Sequence, residues 1–370
     1  SIHHLPMKIK EVILHLERKF PLYWQEEYDN CGVQCGDKEQ EISGVLVCFN
    51  FSEKAIEEAI SRNANLIISH HPLIFKGLQK IEPTSPTGRM IFKAIQHKLV
   101  LYSMHTNIDN GIEGGNWLFA KKLGLKELKV LAPKEALFRK LVFYAPNGEE
   151  VPIIDALFAA GCGAVGNYIN CSFRAEGKGT FQPLKSANPF IGQADVTEMV
   201  DEVRVEMIFP KAIQQKVIKT LYRHHPYEEP AFDIFALENS ISPIGLGTIG
   251  TLPQPMKAEY FFDVMKKELN IEYFRISGKT DKTIQKVAVC GGSGSSFIRM
   301  AFAAGADIFI TGDVKYHDFF SVDNQMIIAD IGHFEGESFI KEIIYNELKE
   351  NFSNFATIIL EGEKSGIILV

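Results

Sequence analysis

Residues able to hold a metal ion gather where apolar runs end. His70 and His71 close "NLIISHHP", His105 and Asp109 stand four apart in "SMHTNID", His317 follows "TGDVKY", and His333 and Glu337 stand four apart in "DIGHFEGE". Neighbouring side chains of an extended strand point to opposite faces. His70 and His71 are therefore badly placed to grip one ion together, and Pro72 forbids a regular continuation of the strand. Residues four apart share a face on a helix, so His333 and Glu337 can converge as "HFEGE" enters a helical stretch. Imidazole and carboxylate without thiolate suit Zn, Fe, Mn or Ni and leave exchangeable positions, unlike a cysteine-closed structural zinc. Five or more donors exceed what one tetrahedral ion takes. Two ions roughly 3.5–4 Å apart use them comfortably: His70 and His71 each serve a different ion, Glu337 bridges, and a water or hydroxide between the ions is the nucleophile. Any one of these histidines alone reads more simply as a satisfied polar group; the whole set at strand ends points to metal.

Strands alternating with helices must position these donors. "ISGVLVCFN", "ANLIIS" and "KLVLYSMH" read as strands, and "MKIKEVILHLERKF", "SEKAIEEAISRN" (with Ser52 as N-cap), "GRMIFKAIQH" and "GGNWLFAKKLGL" (stopped at Gly124) as helices. From about 240 the style repeats, with strands "KVAVCGG", "DIFITGD", "QMIIADIGH" and "FATIILEGE" around helices "SSFIRMAFAAGA" and "EGESFIKEIIYNELKEN". The pattern predicts an α/β fold with a three-layer, mainly parallel sheet, whose ligands sit beyond the carboxyl ends of the strands. The middle differs: "RKLVFYAP", "EVPIIDALFAAG", "AVGNYINCSFRAE", "EVRVEMIFP", "AIQQKVIKTLYRH" and "AFDIFALEN" give β-α-β-β-α-β, the ferredoxin-like order. The Gly-, Pro- and Ser-rich "GKGTFQPLKSANPFIGQAD" reads as a projecting loop between its inner strands. The expected organisation is one α/β domain made from 1–125 and 240–370, interrupted by an α+β insert at 126–239.

Bulk properties narrow the class. At 370 residues the chain exceeds one usual core. A net charge of −7 argues against an extended nucleic-acid partner, though not against one nucleotide in a pocket. Apolar runs stop well short of a bilayer span. Six scattered cysteines without a CxxC pair, and a start "SIHHLPMKIKEV" lacking a signal-peptide core, fit reduced thiols in a cytoplasmic protein, with His3 and His4 on a loose end.

At these motifs the chain resembles a known family. "SHHPLIF", "HTNIDNGIEGG", "GGSGSS", "TGDVKYHDF", "DIGHFEGE" and "YDNCGVQCG" look like those of the Ngg-interacting-factor-three-like dinuclear-metal proteins, commonly named GTP cyclohydrolase I type 2 homologues. "GNYINCSF", "GTFQPL" and "HPYEEPAFDI" are similar to the PII/CutA-like insert of longer bacterial members. The resemblance implies two divalent ions per subunit (Zn, Fe or Mn), with His71 and Asp109 on one, His70 and His333 on the other, and Glu337 bridging. His105 and His317 then fall beside the site as orienting or proton-transfer groups. Asn50 departs from the aspartate more usual in the family, which puts a role in substrate or water binding in doubt. The resemblance also implies a homohexamer, a trimer of dimers. Its name implies hydrolysis of a nucleotide, hydroxide opening the imidazole ring of GTP at C8; the alternative is a metal-containing regulatory or protein-interaction hexamer without turnover.

Three motifs have two readings each. "RHHPYEEP" is a turn with packed rings or a lid over the metals, "CGGSGSS" a tight turn or a phosphate cradle, and Cys31 and Cys35 packed thiols or a redox pair.

Overall fold

Three short strands, Gly44–Cys48, Leu66–Ser69 and Val100–Ser103, are buried at every residue. Strands covered on both faces are built from continuous apolar runs, and these three pair in parallel, Val45 beside Leu66 and Leu66 beside Val100. The computed structural model describes residues 6–239 and 244–370, so His3, His4 and the expected boundary at 240 lie outside it. Gly32–Cys35 adds an antiparallel edge against Val100–Ser103, and Ala356–Ile359 completes five strands by pairing in parallel with Gly44–Cys48. A second sheet has six strands in the order Arg275–Ser277, Ile327–Asp330, Ile308–Gly312, Thr283–Ser293, Gly245–Lys257 and Lys126–Pro133. Its middle three run parallel.

The α/β class holds, with the parallel strands divided between two sheets rather than placed in one. Each sheet borrows a strand from the other half of the sequence: Ala356–Ile359 joins the first, and Lys126–Pro133 joins the second. The cores interlock likewise. Ile340, Ile344 and Leu348 pack with Val45, Leu66 and Val100, while Phe119 and Leu123 pack with Val287, Ile308 and Ile327. Ser52 caps the helix Glu53–Ser61 by accepting from the Ala55 N–H, and Gly124 ends the helix Gly115–Lys122 in a left-handed turn at φ +76°.

Two compact units result, 1–133 with 244–370, and 134–243. The insert therefore begins later than residue 126, because Lys126–Pro133 hydrogen-bonds along Gly245–Lys257 of the outer unit. Within the insert, strands Phe138–Pro146, Phe173–Phe181, Glu198–Pro210 and Phe232–Ala236 form one antiparallel sheet with helices Glu150–Ala160 and Gln214–His224. Its spatial order places Glu198–Pro210 and Phe138–Pro146 in the centre. The stretch "GKGTF", expected in a loop, instead extends the strand Phe173–Phe181 against Glu198–Pro210; the connection proper is 182–197.

Candidate metal centre

The strand Leu66–Ser69 delivers the histidine doublet. Past the strand, His70 N–H bonds Cys48 O (3.3 Å) and His71 N–H bonds Phe49 O (3.2 Å). Two successive N–H groups facing one neighbour break the strand alternation, so the two rings, expected to diverge, lie 4.9 Å apart. His70 is completely buried, and its Nδ1 lies 2.8 Å from Met104 O. A carbonyl only accepts, so that nitrogen carries the proton and Nε2 keeps its lone pair. His71 Nδ1 meets Asn50 Oδ1 at 2.7 Å, and His333 Nδ1 meets Asp313 Oδ2 at 2.7 Å, which fixes the same tautomer in both. Three imidazoles thus present Nε2 to one place, with orienting partners of the kind metal ligands need.

That place is the carboxylate of Glu337. Its Oε2 lies 3.5 Å from His70 Nε2, 3.1 Å from His71 Nε2 and 3.0 Å from His333 Nε2. Asp109 Oδ2 stands 3.8 Å from His70 Nε2. Donor atoms fall into three sets: His70, Asp109 and Glu337; His71, His333 and Glu337; and His70, His71 and His105. These sets pair the donors differently from the division the resemblance implies, which puts His71 with Asp109 and His70 with His333. His70 turns inward to Asp109 and His71 outward to His333, because each ring is anchored by a different neighbour, Met104 or Asn50.

Several features test whether a cation fits. His70 Nε2 is buried without a hydrogen-bond partner, and a buried polar atom left so is costly unless something else satisfies it. Burial pushes the His70 imidazolium down to about 4, so the ring is neutral and able to ligate. Burial, with Glu337 beside it, pushes the Asp109 carboxyl well above the usual carboxylate range. Burial acts the same way on Glu337, but His70, His333 and His71 outweigh it and hold that carboxyl well below its ordinary value. The Glu337 hydrogen bond, with further help from Asp313, lifts His333 to about 9 against the effect of burial, so an ion at its Nε2 would take the place of a proton held there. Two adjacent buried carboxyls competing for ionisation are the charge arrangement that a cation resolves. The donor set fits.

The glycines of "CGGSGSS" make room for this carboxylate. A Cβ on Gly292, whose φ is +72°, would lie 2.4 Å from Glu337 Oε1, and one on Gly291 would lie 2.5 Å from Gly336 O. The motif is not the tight turn expected: Cys290–Ser293 close the strand Thr283–Ser293, and the helix that follows, Ile298–Ala303, is only six residues long.

His105 joins the donors, its ring 5.1 Å from those of both His70 and His71. Its Nδ1 is held at 3.0 Å by Asp29 Oδ1, while Asp29 Oδ2 accepts from Thr106 N–H (3.0 Å) and Thr106 Oγ1 (2.5 Å). Burial opposes the Asp29 charge, yet these partners hold its carboxyl below the ordinary range. His317 is not brought in. It lies exposed on the turn Tyr316–Phe320, edge-on to Tyr316 at 5.2 Å, and belongs to none of the donor sets.

Sequence reasoning missed the orienting roles of Asp29, Asn50 and Asp313. Each follows or ends a strand or sits inside a quoted motif, but nothing in spacing links Asp29 to residue 105 or Asp313 to residue 333. Elsewhere, His225 of "RHHPYEEP" is buried and spoken for within the insert, by Tyr144 O at 2.6 Å and the Tyr227 N–H at 3.0 Å. All six cysteines are free thiols, and Cys31 Sγ hydrogen-bonds to Asp29 Oδ2.

Parallel strands ending on a buried histidine and carboxylate cluster define an α/β protein with a site able to hold a metal ion. The chain belongs to the Duf34/NIF3 (NGG1p interacting factor 3) family, whose profile matches residues 7–365. Relatives named GTP cyclohydrolase 1 type 2 homolog include one from Bacillus subtilis, 38% identical over 343 residues (92% of this chain, 91% of the relative). Another, from Staphylococcus aureus strain COL, is 36% identical over 362 residues and covers 98% of both chains. Among solved structures, a Bacillus cereus protein related to NIF3 superposes with a TM-score of 0.72 at 34% identity, covering 99% of this chain and 100% of that one. Among the described residues no helix is long and apolar enough to cross a membrane.

Proposed function

We propose that this chain is a hydrolase that works with two divalent metal ions and acts on a nucleotide, as the name GTP cyclohydrolase 1 type 2 homolog borne by its relatives suggests. The observation that carries the reading is the position of Glu337, whose carboxylate is common to a His70–Asp109 set and a His71–His333 set. His70, Asp109 and Glu337 would hold one ion, and His71, His333 and Glu337 the other, with Zn, Fe and Mn compatible with such donors. Divalent ions bound there supply hydroxide at neutral pH and offset negative charge on the reacting oxygens.

The protein's own residues do the rest. Met104, Asn50 and Asp313 hold the three imidazoles in the tautomer that presents Nε2. His105, oriented by Asp29, accepts or delivers a proton beside the donors. His317, outside the donor sets, is given no part. The reading extends to a cytoplasmic homohexamer, a trimer of dimers, with a PII/CutA-like insert and a small-molecule substrate.

The test uses protein stripped of metal and reloaded with Zn, Mn or Fe(II), then incubated with GTP and a nucleotide panel while base absorbance and phosphate release are followed. Turnover should depend on metal and vanish in His71→Ala and Glu337→Ala. Turnover retained by stripped protein, or none across the panel with metal loaded, overturns the reading. The second result together with a co-purifying protein would favour a regulatory assembly.

A further inference from the structure

The insert contains a half-open cavity of its own, about 280 Å³. Its aromatic walls are Phe181, Phe190 and Tyr227, with the first two ring centroids 5.8 and 6.4 Å from that of Tyr227. Its charged groups are all acidic: Glu202, half-buried, and Glu228 and Glu229, exposed; no Lys, Arg or His lines it.

The histidine doublet of "RHHPYEEP" gains a purpose here. His225 Nε2–H donates to Tyr144 O and its Nδ1 accepts from Tyr227 N–H, so a buried neutral imidazole fixes the backbone that carries Tyr227. Glu228 Oε2 in turn accepts from Asn188 N–H at 3.0 Å, tying the 182–197 connection to the same segment. Tyr227 Oη faces the Glu202 carboxyl and has no other hydrogen-bond partner among the described residues. Simple ring packing does not explain the open volume. Glu202 is unpaired by any cation among the described residues, and burial raises its carboxyl above the ordinary range.

Aromatic faces carry negative quadrupole charge and attract cations, the more so when desolvated. Carboxylates beside them add Coulomb attraction and repel anions such as phosphate. We propose that this cavity is a binding site for a small organic cation, a protonated amine or guanidinium carried on an apolar body. Its volume lies near the lower end for ligand pockets, which favours a small free molecule.

Full-length protein is titrated with benzylammonium, with its neutral isostere benzyl alcohol, and with benzoate, followed by calorimetry and ligand-observed NMR. Benzylammonium should bind with a Kd on the order of 1 mM or tighter, and the alcohol and the acid at least about tenfold more weakly. Glu202→Gln and Tyr227→Leu should each weaken the ammonium by about tenfold, with circular dichroism confirming that both variants fold. Equal affinity for ammonium and alcohol overturns the proposal, as does unchanged affinity in both folded variants or the lack of any saturable binding by the ammonium.

Discussion

His333 and Glu337, one helical turn apart on His333–Glu337, bring Nε2 and Oε2 to 3.0 Å, and the same Oε2 reaches His71 at 3.1 Å across the site. Local sequence thus sets one contact and tertiary folding the other. Because Glu337 belongs to both carboxylate-containing donor sets and Asp109 to one, their removal should differ. Glu337→Gln should lose most bound metal, whereas Asp109→Asn should lose about half, since only one set is broken. Elemental analysis of the purified variants decides it, and equal losses would refute the division of donors.

Gly292 offers a sharper steric test. Alanine there places Cβ 2.4 Å from Glu337 Oε1 at a φ of +72°, whereas Gly124, at φ +76°, has open space around it. Both substitutions pay the left-handed backbone strain of about 1–2 kcal/mol. Only Gly292→Ala should also reduce metal retention, measured by dialysis against a competing chelator. Matching retention in the two variants would mean that the close approach to Glu337 is unimportant.

The histidine doublet, the two four-residue spacings and the strand ends were legible because each is a local pattern: a buried apolar run, a Pro stop, a helical turn. Which donors share a set was not, since it depends on where the rings are anchored. Met104 belongs to a neighbouring strand end and Asn50 to another, and no periodicity reports that His70 leans on one and His71 on the other. The exchange of Lys126–Pro133 and Ala356–Ile359 between sheets was hidden for a like reason. Alternation identifies strands, but pairing between segments more than a hundred residues apart is decided by the packed core.

Asn50 makes the anchoring testable. Its Oδ1 accepts from His71 Nδ1–H at 2.7 Å, a place where a carboxylate would raise the basicity of the ring. Asn50→Asp should tighten retention of the ion held by His71, and Asn50→Ala should loosen it, by about tenfold or more in each direction. Competition with a chromophoric chelator measures both. Identical affinities in the three proteins would show that His71 is oriented by something else.

Away from the centre, Glu347 links the helix Ile340–Asn351 to the helix Ile9–Lys19, with Oε2 2.6 Å from Lys19 Nζ and Oε1 2.8 Å from His15 Nε2. Burial works against its charge, yet Lys19 and His15 outweigh it and lower the carboxyl's pKa. A carboxyl whose pKa is lower folded than unfolded binds fewer protons in the native state. Its stabilisation is therefore complete above the unfolded value, roughly pH 4.3, and is lost as pH falls through the lower folded value. Glu347→Gln removes that titration, so its Tm should lie below that of the unmodified chain at neutral pH. The gap should narrow as the solution is acidified below the unfolded carboxyl's range. Melting curves of the two proteins at matched ionic strength check this, and a gap that widens on acidification would show that the ion pair is not what joins these helices.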